Sequence, residues 1–147
     1  MQYHLDTIPV WEAMERQGEC PLCALERKTE LEEVERTLGA SVMEPAERIK
    51  VNRNGICREH HRMLYAQQNR LGHALLMDSH GKERMAALVK LQTAAESASQ
   101  ARSGLFRRRA PARELGAELQ SLSQGCVVCD RLHEHMGRYR HTFLHLW

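Results

Sequence analysis

Cys20-Pro21-Leu22-Cys23 and Gly55-Ile56-Cys57-Arg58-Glu59-His60 decide how this chain is read. Each stretch sets two soft or borderline donors across a three-residue step, and together they supply three thiolates and an imidazole. That is the ligand set of a closed, four-coordinate structural zinc site. The expected metal ligands are therefore Cys20, Cys23, Cys57 and His60. His61 reaches the same helix face one residue on, so the imidazole is His60 or His61, with His60 preferred.

Local physics supports the grouping. Pro21 suits the first position of a helix, where its missing N–H costs nothing. Backbone amides and the positive end of a helix dipole favour the thiolate over the thiol. Three thiolates around a divalent ion leave one formal negative charge, which Arg27 or Arg58 is placed in sequence to offset. Closing the 33-residue segment between Cys23 and Cys57 costs roughly 3 kcal/mol in the logarithmic loop term. Structural zinc supplies an apparent ~10–16 kcal/mol, comparable with the ~5–15 kcal/mol stability of an ordinary domain.

The remaining composition narrows the class. The chain has 147 residues, 42% of them hydrophobic and only 5% aromatic, so its core rests on Leu, Ala, Met and Val. A net charge of +2 with 27% charged residues gives no strongly basic or acidic surface. No apolar run approaches the ~20 residues of a membrane span, and the residues after Met1 lack the regions of a signal peptide. Five cysteines, four of them in C-x2-C steps, point to reduced, metal-binding thiols and a cytoplasmic setting.

Along the chain the pattern is all-α, an irregular bundle of about five to six helices stapled by the zinc site. A short helix is expected over 7–17, with Trp11 beside the metal. A second runs from Pro21 to Leu38, stops at Gly39, and carries Glu30, Glu32, Glu33 and Glu35 as a solvated face. Residues 40–54 read as irregular, with Val42, Met43 and Ile49 folded onto the core. From Cys57 to about Gln100 the pattern is helical, with Gly72 and Gly81 as candidate breaks. His73 and His80 lack a matching Cys or carboxylate and are not read as ligands. The stretch 97–111 reads as a flexible loop, its Arg107-Arg108-Arg109 run solvated rather than bound to phosphate. A fifth helix covers 112–123. The organisation is thus one domain: a metal-bearing part (1–101), a loop (102–111) and C-terminal helices (112–147).

The last segment repeats the opening grammar. Cys126-Val127-Val128-Cys129 again begins a helix. Cys129, Leu132, Met136, Tyr139, Phe143 and Leu146 recur by three and four, a seam for packing within the chain, with a homodimer through this helix as the minority reading. Cys126, Cys129, His133 and His145 form a candidate second metal set, with His141 one turn before His145. A half-formed site or a disulfide between these cysteines is the competing expectation.

These motifs also carry a resemblance. The opening from Tyr3-His4-Leu5-Asp6-Thr7-Ile8-Pro9-Val10-Trp11 through Cys20-Pro21-Leu22-Cys23 resembles an uncharacterised bacterial family, a domain of unknown function. Ser41-Val42-Met43-Glu44-Pro45, Gly55-Ile56-Cys57-Arg58-Glu59-His60, Gln68-Asn69-Arg70-Leu71-Gly72, Cys126-Val127-Val128-Cys129-Asp130 and Thr142-Phe143-Leu144-His145-Leu146-Trp147 fit it as well. The resemblance implies a helical protein with two cysteine-rich halves, each pairing C-x2-C with a later G-x-C-x2-H. The chain ends at Trp147 before a second G-x-C-x2-H, so a shortened natural form or a truncated one is expected.

Three functional classes follow. The favoured one is a non-enzymatic, zinc-stabilised helical module that binds an unknown protein partner. The second is a thiol–disulfide or redox-sensing protein, since C-P-x-C is also a redox step, although no strand precedes Cys20 to make a βαβ frame. The third is a hydrolytic zinc enzyme, disfavoured because three cysteines and a histidine fill the coordination shell. A nucleic-acid-binding regulator is a further alternative with little basic support, and the C-x2-C-H haem signature is absent.

Overall fold

The computed structural model describes residues 6–16, 18–100, 109–122 and 125–146. Among these residues there are seven helices and no strands: α1 (Thr7–Glu15), α2 (Pro21–Met43), α3 (Pro45–Asn54), α4 (Arg58–Ala66), α5 (Arg70–Gln100), α6 (Arg109–Leu122) and α7 (Val127–Leu146). The all-α class is as expected; the helix count is slightly higher.

α2 is the central element, packing against α1, α3, α4, α5 and α7. Its two ends serve two cores. Leu25 near its start joins Val10, Ala13, Met136 and Tyr139, with Leu132, Phe143 and Leu146 packed around them. The seam of α7 is therefore used within the chain. Val34 and Leu38 join Val51, Leu64, Leu76, Cys126, Val127 and Val128 in the second core. Each fully buried leucine contributes about 1.5–3 kcal/mol.

The extra helix comes from the stretch expected to be irregular. Pro45 starts α3, Glu47 lies in its first turn and Gly55 closes it, its N–H donating to Val51 O at φ +74°. Gly39 does not stop α2. No atom crowds it, and the ~1 kcal/mol cost of a mid-helix glycine is outweighed once Val42, beyond it, packs against the core. Met43 (84% exposed) and Ile49 (55% exposed) do not fold back as expected. The break in the long central pattern falls at 67–69 rather than at Gly72 or Gly81. There Asn69 Oδ1 accepts the Gly72 N–H at 2.9 Å, capping the start of α5. Residues 97–100, expected in the loop, continue α5, and α6 starts at Arg109, ahead of the expected 112. The rest of the expected loop and the Arg107–Arg109 side chains lie outside the described residues.

The glutamates of α2 are not one solvated face. Glu33 is only 4% exposed. Its carboxylate meets Arg36 at 3.3 Å, Arg131 at 3.5 Å and His135 at 3.3 Å. Arg131 also pairs with Glu47 of α3, so one guanidinium ties α2, α3 and α7 together. A hydrogen bond from Lys50 holds the Glu47 carboxyl below its usual range; the charges of Arg131, Lys50 and Arg36 add to this, against burial. A depressed folded-state value contributes stability above the unfolded carboxylate range of about 4.3, lost as pH falls through the folded value. Glu47→Gln should lower the urea midpoint at neutral pH, and its gap from the parent should close in acid; a pH-independent gap contradicts this account.

At Gly125 an added side chain would strike fixed backbone. Gly125 has φ +126°, and a Cβ there would lie 2.5 Å from the Asn54 carbonyl oxygen. Gly125→Ala should therefore destabilise by about 3 kcal/mol. Gly81→Ala, in open space on α5, should gain about 0.5–1 kcal/mol. Denaturant titration of the two variants measures both signs.

Candidate metal centre

The centre forms where two distant segments lock together. The Val127 N–H donates to Gly55 O at 3.0 Å. Asn54 Nδ2 donates to Asp130 Oδ2 at 2.7 Å. These contacts press the turn before α4 onto the start of α7. Cys57 is the residue before α4, in extended conformation, and the His61 N–H donates to its carbonyl at 2.9 Å. Cys126 stands in the same place before α7, where the Asp130 N–H donates to its carbonyl at 2.9 Å. His60 and Cys129 follow, each one turn into its helix.

Four ligand atoms converge as a result. Cys57 Sγ, His60 Nδ1, Cys126 Sγ and Cys129 Sγ all lie within 4.8 Å of one another. His60 Nδ1 is 3.1 Å from Cys57 Sγ, 3.3 Å from Cys126 Sγ and 3.4 Å from Cys129 Sγ. The sulfurs of Cys57 and Cys129 are 3.9 Å apart. His60 and Cys126 are buried, Cys57 is half-buried and Cys129 is exposed. The other ring nitrogen of His60, Nε2, lies 3.1 Å from Glu30 Oε1 on α2. With its proton on Nε2, the ring donates to that carboxylate and turns the Nδ1 lone pair towards the sulfurs.

The sulfurs differ electrostatically. Burial raises the Cys57 thiol, but the His60 backbone N–H and hydrogen bonds with Cys126, His60 and Cys129 outweigh it and bring it to about 7. Burial, with hydrogen bonding to and the negative charge of Cys126 and Cys57, pushes Cys129 up to about 12. Adjacent thiolates repel, so full ionisation of the trio needs a cation. Protons and a soft metal ion compete for the same atoms.

The structure thus redraws the expected grouping. Cys57 and His60 meet Cys126 and Cys129, not Cys20 and Cys23. Cys20 and Cys23 are exposed at the start of α2 and lie outside the cluster. Both C-x2-C steps head helices as read, and proximity in sequence favoured the nearer one. The docking of α7 against Gly55 favours the farther one. The candidate second set dissolves in consequence: Cys126 and Cys129 belong to the first centre, while His133 and His145 are exposed on α7 and outside it. His133 instead lines a surface groove with Leu22, Glu26, Leu132 and Cys129. His61 turns away from the cluster, its Nδ1 3.2 Å from His73 Nε2. Trp11, expected beside the metal, is 48% exposed and packs in neither core. Glu30 falls on the face expected to be solvated; its seven-residue offset from Cys23 on one helix face carries no signal without the partners of α2.

Fold and site together define an all-helical protein with a three-cysteine, one-histidine centre able to hold a metal ion. The chain belongs to a family of unknown function (DUF6062), whose profile matches residues 1–147. No curated protein matches it, and no solved structure does. No helix among the described residues is long and apolar enough to cross a membrane.

The Glu30 contact gives a direct check. Carboxylates behind a ligating histidine typically contribute 10–100-fold in metal affinity. Glu30→Ala should weaken metal binding by about that factor while leaving α2 helical. Competition with a chromophoric chelator measures it, and an unchanged affinity removes Glu30 from the centre.

Proposed function

We propose that the protein is a non-enzymatic helical module held together by a structural zinc ion on Cys57, His60, Cys126 and Cys129. The observation that carries this reading is the orientation of His60. Its Nδ1 faces three sulfurs at 3.1–3.4 Å, and its Nε2 faces a carboxylate. Tetrahedral zinc with ~2.3 Å bonds to sulfur and ~2.0 Å bonds to nitrogen spaces its ligands by about 3.5–3.8 Å. The His60–sulfur and Cys57–Cys129 spacings need only tenths of an ångström of adjustment, and all four atoms lie within 4.8 Å of one another. A carboxylate–histidine pair behind the ion is the usual way such a ligand is aimed. Among divalent ions, a donor set rich in thiolate suits zinc.

A structural role follows from the ligand count. Three thiolates and an imidazole complete the tetrahedron, leaving no open position for a substrate or an activated water. The net charge of such a centre is −1, which makes the ion a weak Lewis acid. The ion would close the chain between His60 and Cys126, about 65 residues, against a loop term of roughly 4 kcal/mol. A structural site supplies several times that amount. An interaction role is the companion reading, supported by Met85 and Val89, which stand exposed on α5 beside the half-exposed Leu88. A cytoplasmic setting fits reduced thiols at the centre.

Elemental analysis of the purified chain tests the assignment. One zinc per chain is expected, lost on Cys57→Ala, His60→Ala or Cys126→Ala and kept on Cys20→Ala/Cys23→Ala. Chelation should separate α7 from α4 and lower the melting temperature by more than 10 °C, as a loss of several kcal/mol does in a chain of this size. A metal-free wild type with unchanged melting overturns the proposal.

A further inference from the structure

The two C-x2-C steps share a backbone design and differ in surroundings. Cys20 directly precedes α2 and Cys126 directly precedes α7, each after a positive-φ glycine nearby, Gly18 and Gly125. The Ala24 N–H donates to Cys20 O at 3.0 Å, as the Asp130 N–H donates to Cys126 O at 2.9 Å. At α7 the sulfurs are enclosed by Cys57 and His60. At α2 both sulfurs are exposed. Among the described residues no third Cys, His, Asp or Glu joins them in a metal-type group. Glu26 adds its negative charge beside Cys23, and Glu19, adjacent to Cys20 in sequence, is paired with Arg27.

What remains at the head of α2 is an asymmetric dithiol. The Cys20 sulfur accepts from the Cys23 backbone N–H, from the Cys23 thiol and from the Leu22 N–H, which together lower its pKa. The Cys23 thiol is raised, first by its hydrogen bond to Cys20 and then by the Cys20 charge. Both sulfurs are accessible at a helix start, and this hydrogen bonding favours the thiolate form of Cys20 over that of Cys23. That division of labour is what thiol–disulfide exchange requires of an attacking and a resolving cysteine.

The geometry points to Cys20 and Cys23 as a redox-active pair, separate from the metal centre, that reacts with low-molecular-weight disulfides such as glutathione disulfide. The Cys20 thiolate attacks one sulfur of the small disulfide, forming a mixed disulfide and breaking the original S–S bond. The first small thiol leaves as thiolate and takes a proton from water. Cys23 gives up its proton to solvent and attacks Cys20 Sγ, closing the Cys20–Cys23 bond and releasing the second small thiol. Counted from the dithiol, the protein loses two electrons and two protons, one from each thiol, and the small disulfide is reduced to two thiols.

The experiment equilibrates the full chain in glutathione buffers of increasing oxidised fraction, alkylates the remaining thiols under denaturing conditions and maps them by peptide mass spectrometry. Zinc content is read on the same samples. Expected is a Cys20–Cys23 disulfide that forms and reverses across the buffer series, with zinc content unchanged and Cys57, Cys126 and Cys129 still alkylated. Cys23→Ser should trap a glutathione adduct on Cys20. Cys20→Ser should form its adduct on Cys23 more slowly, because the Cys23 and Leu22 amides that favour a thiolate face position 20. Cys20 and Cys23 remaining thiols throughout overturns the proposal, as does a second zinc per chain that vanishes in Cys20→Ser/Cys23→Ser. Equal adduct rates in the two single variants overturn the assigned roles. Because zinc is read separately, failure of this pair is distinguishable from failure of the Cys57–Cys129 centre.

Discussion

One backbone hydrogen bond, from Val127 N–H to the carbonyl of Gly55, holds the arrangement on which the site depends. It joins the first amide of one helix to the glycine that ends another. Neither group has a partner inside its own helix, so the contact satisfies two terminal polar groups at once. Gly55 and Gly125 supply the positive-φ geometry that lets the two turns approach, and Asn54 and Asp130 clasp beside them. Four donors are drawn together by a junction that contains none of their side chains.

How much of this could be read beforehand follows from the range of each force. The donor types, the C-x2-C spacing and the helical starts are local, and Cys57, His60, Cys126 and Cys129 were all marked as ligands. Their partition into sets is non-local. It turns on which helix start docks against Gly55, and nothing within either motif encodes that. The same limit hid Glu33, whose carboxylate is buried only because Arg131 and His135 arrive from α7. It hid α3 differently, since a proline such as Pro45 suits a turn as well as the first turn of a helix. Gly39 and Gly81 were overweighted as breakers, their intrinsic cost being small beside packing on either side.

The protein combines an enclosed centre with an open copy of the same local design. Enclosure decides the chemistry. Surrounded by further donors, paired sulfurs favour a cation and a fixed structure. Left at the surface with two amides and each other, they lack the further donors that would complete a shell. Identical spacing therefore does not imply identical use, and the number of neighbouring donors discriminates between the outcomes.

The separation of the ligands along the chain also has a temporal meaning. Cys57 and His60 leave the ribosome early and can offer an ion only half a coordination shell. Cys126 and Cys129 follow several seconds later at ordinary elongation rates of roughly 5–20 residues per second. The four-donor set is complete only once the start of α7 has been made, so the centre marks the moment at which residues 57 and 129 can be joined in one cluster.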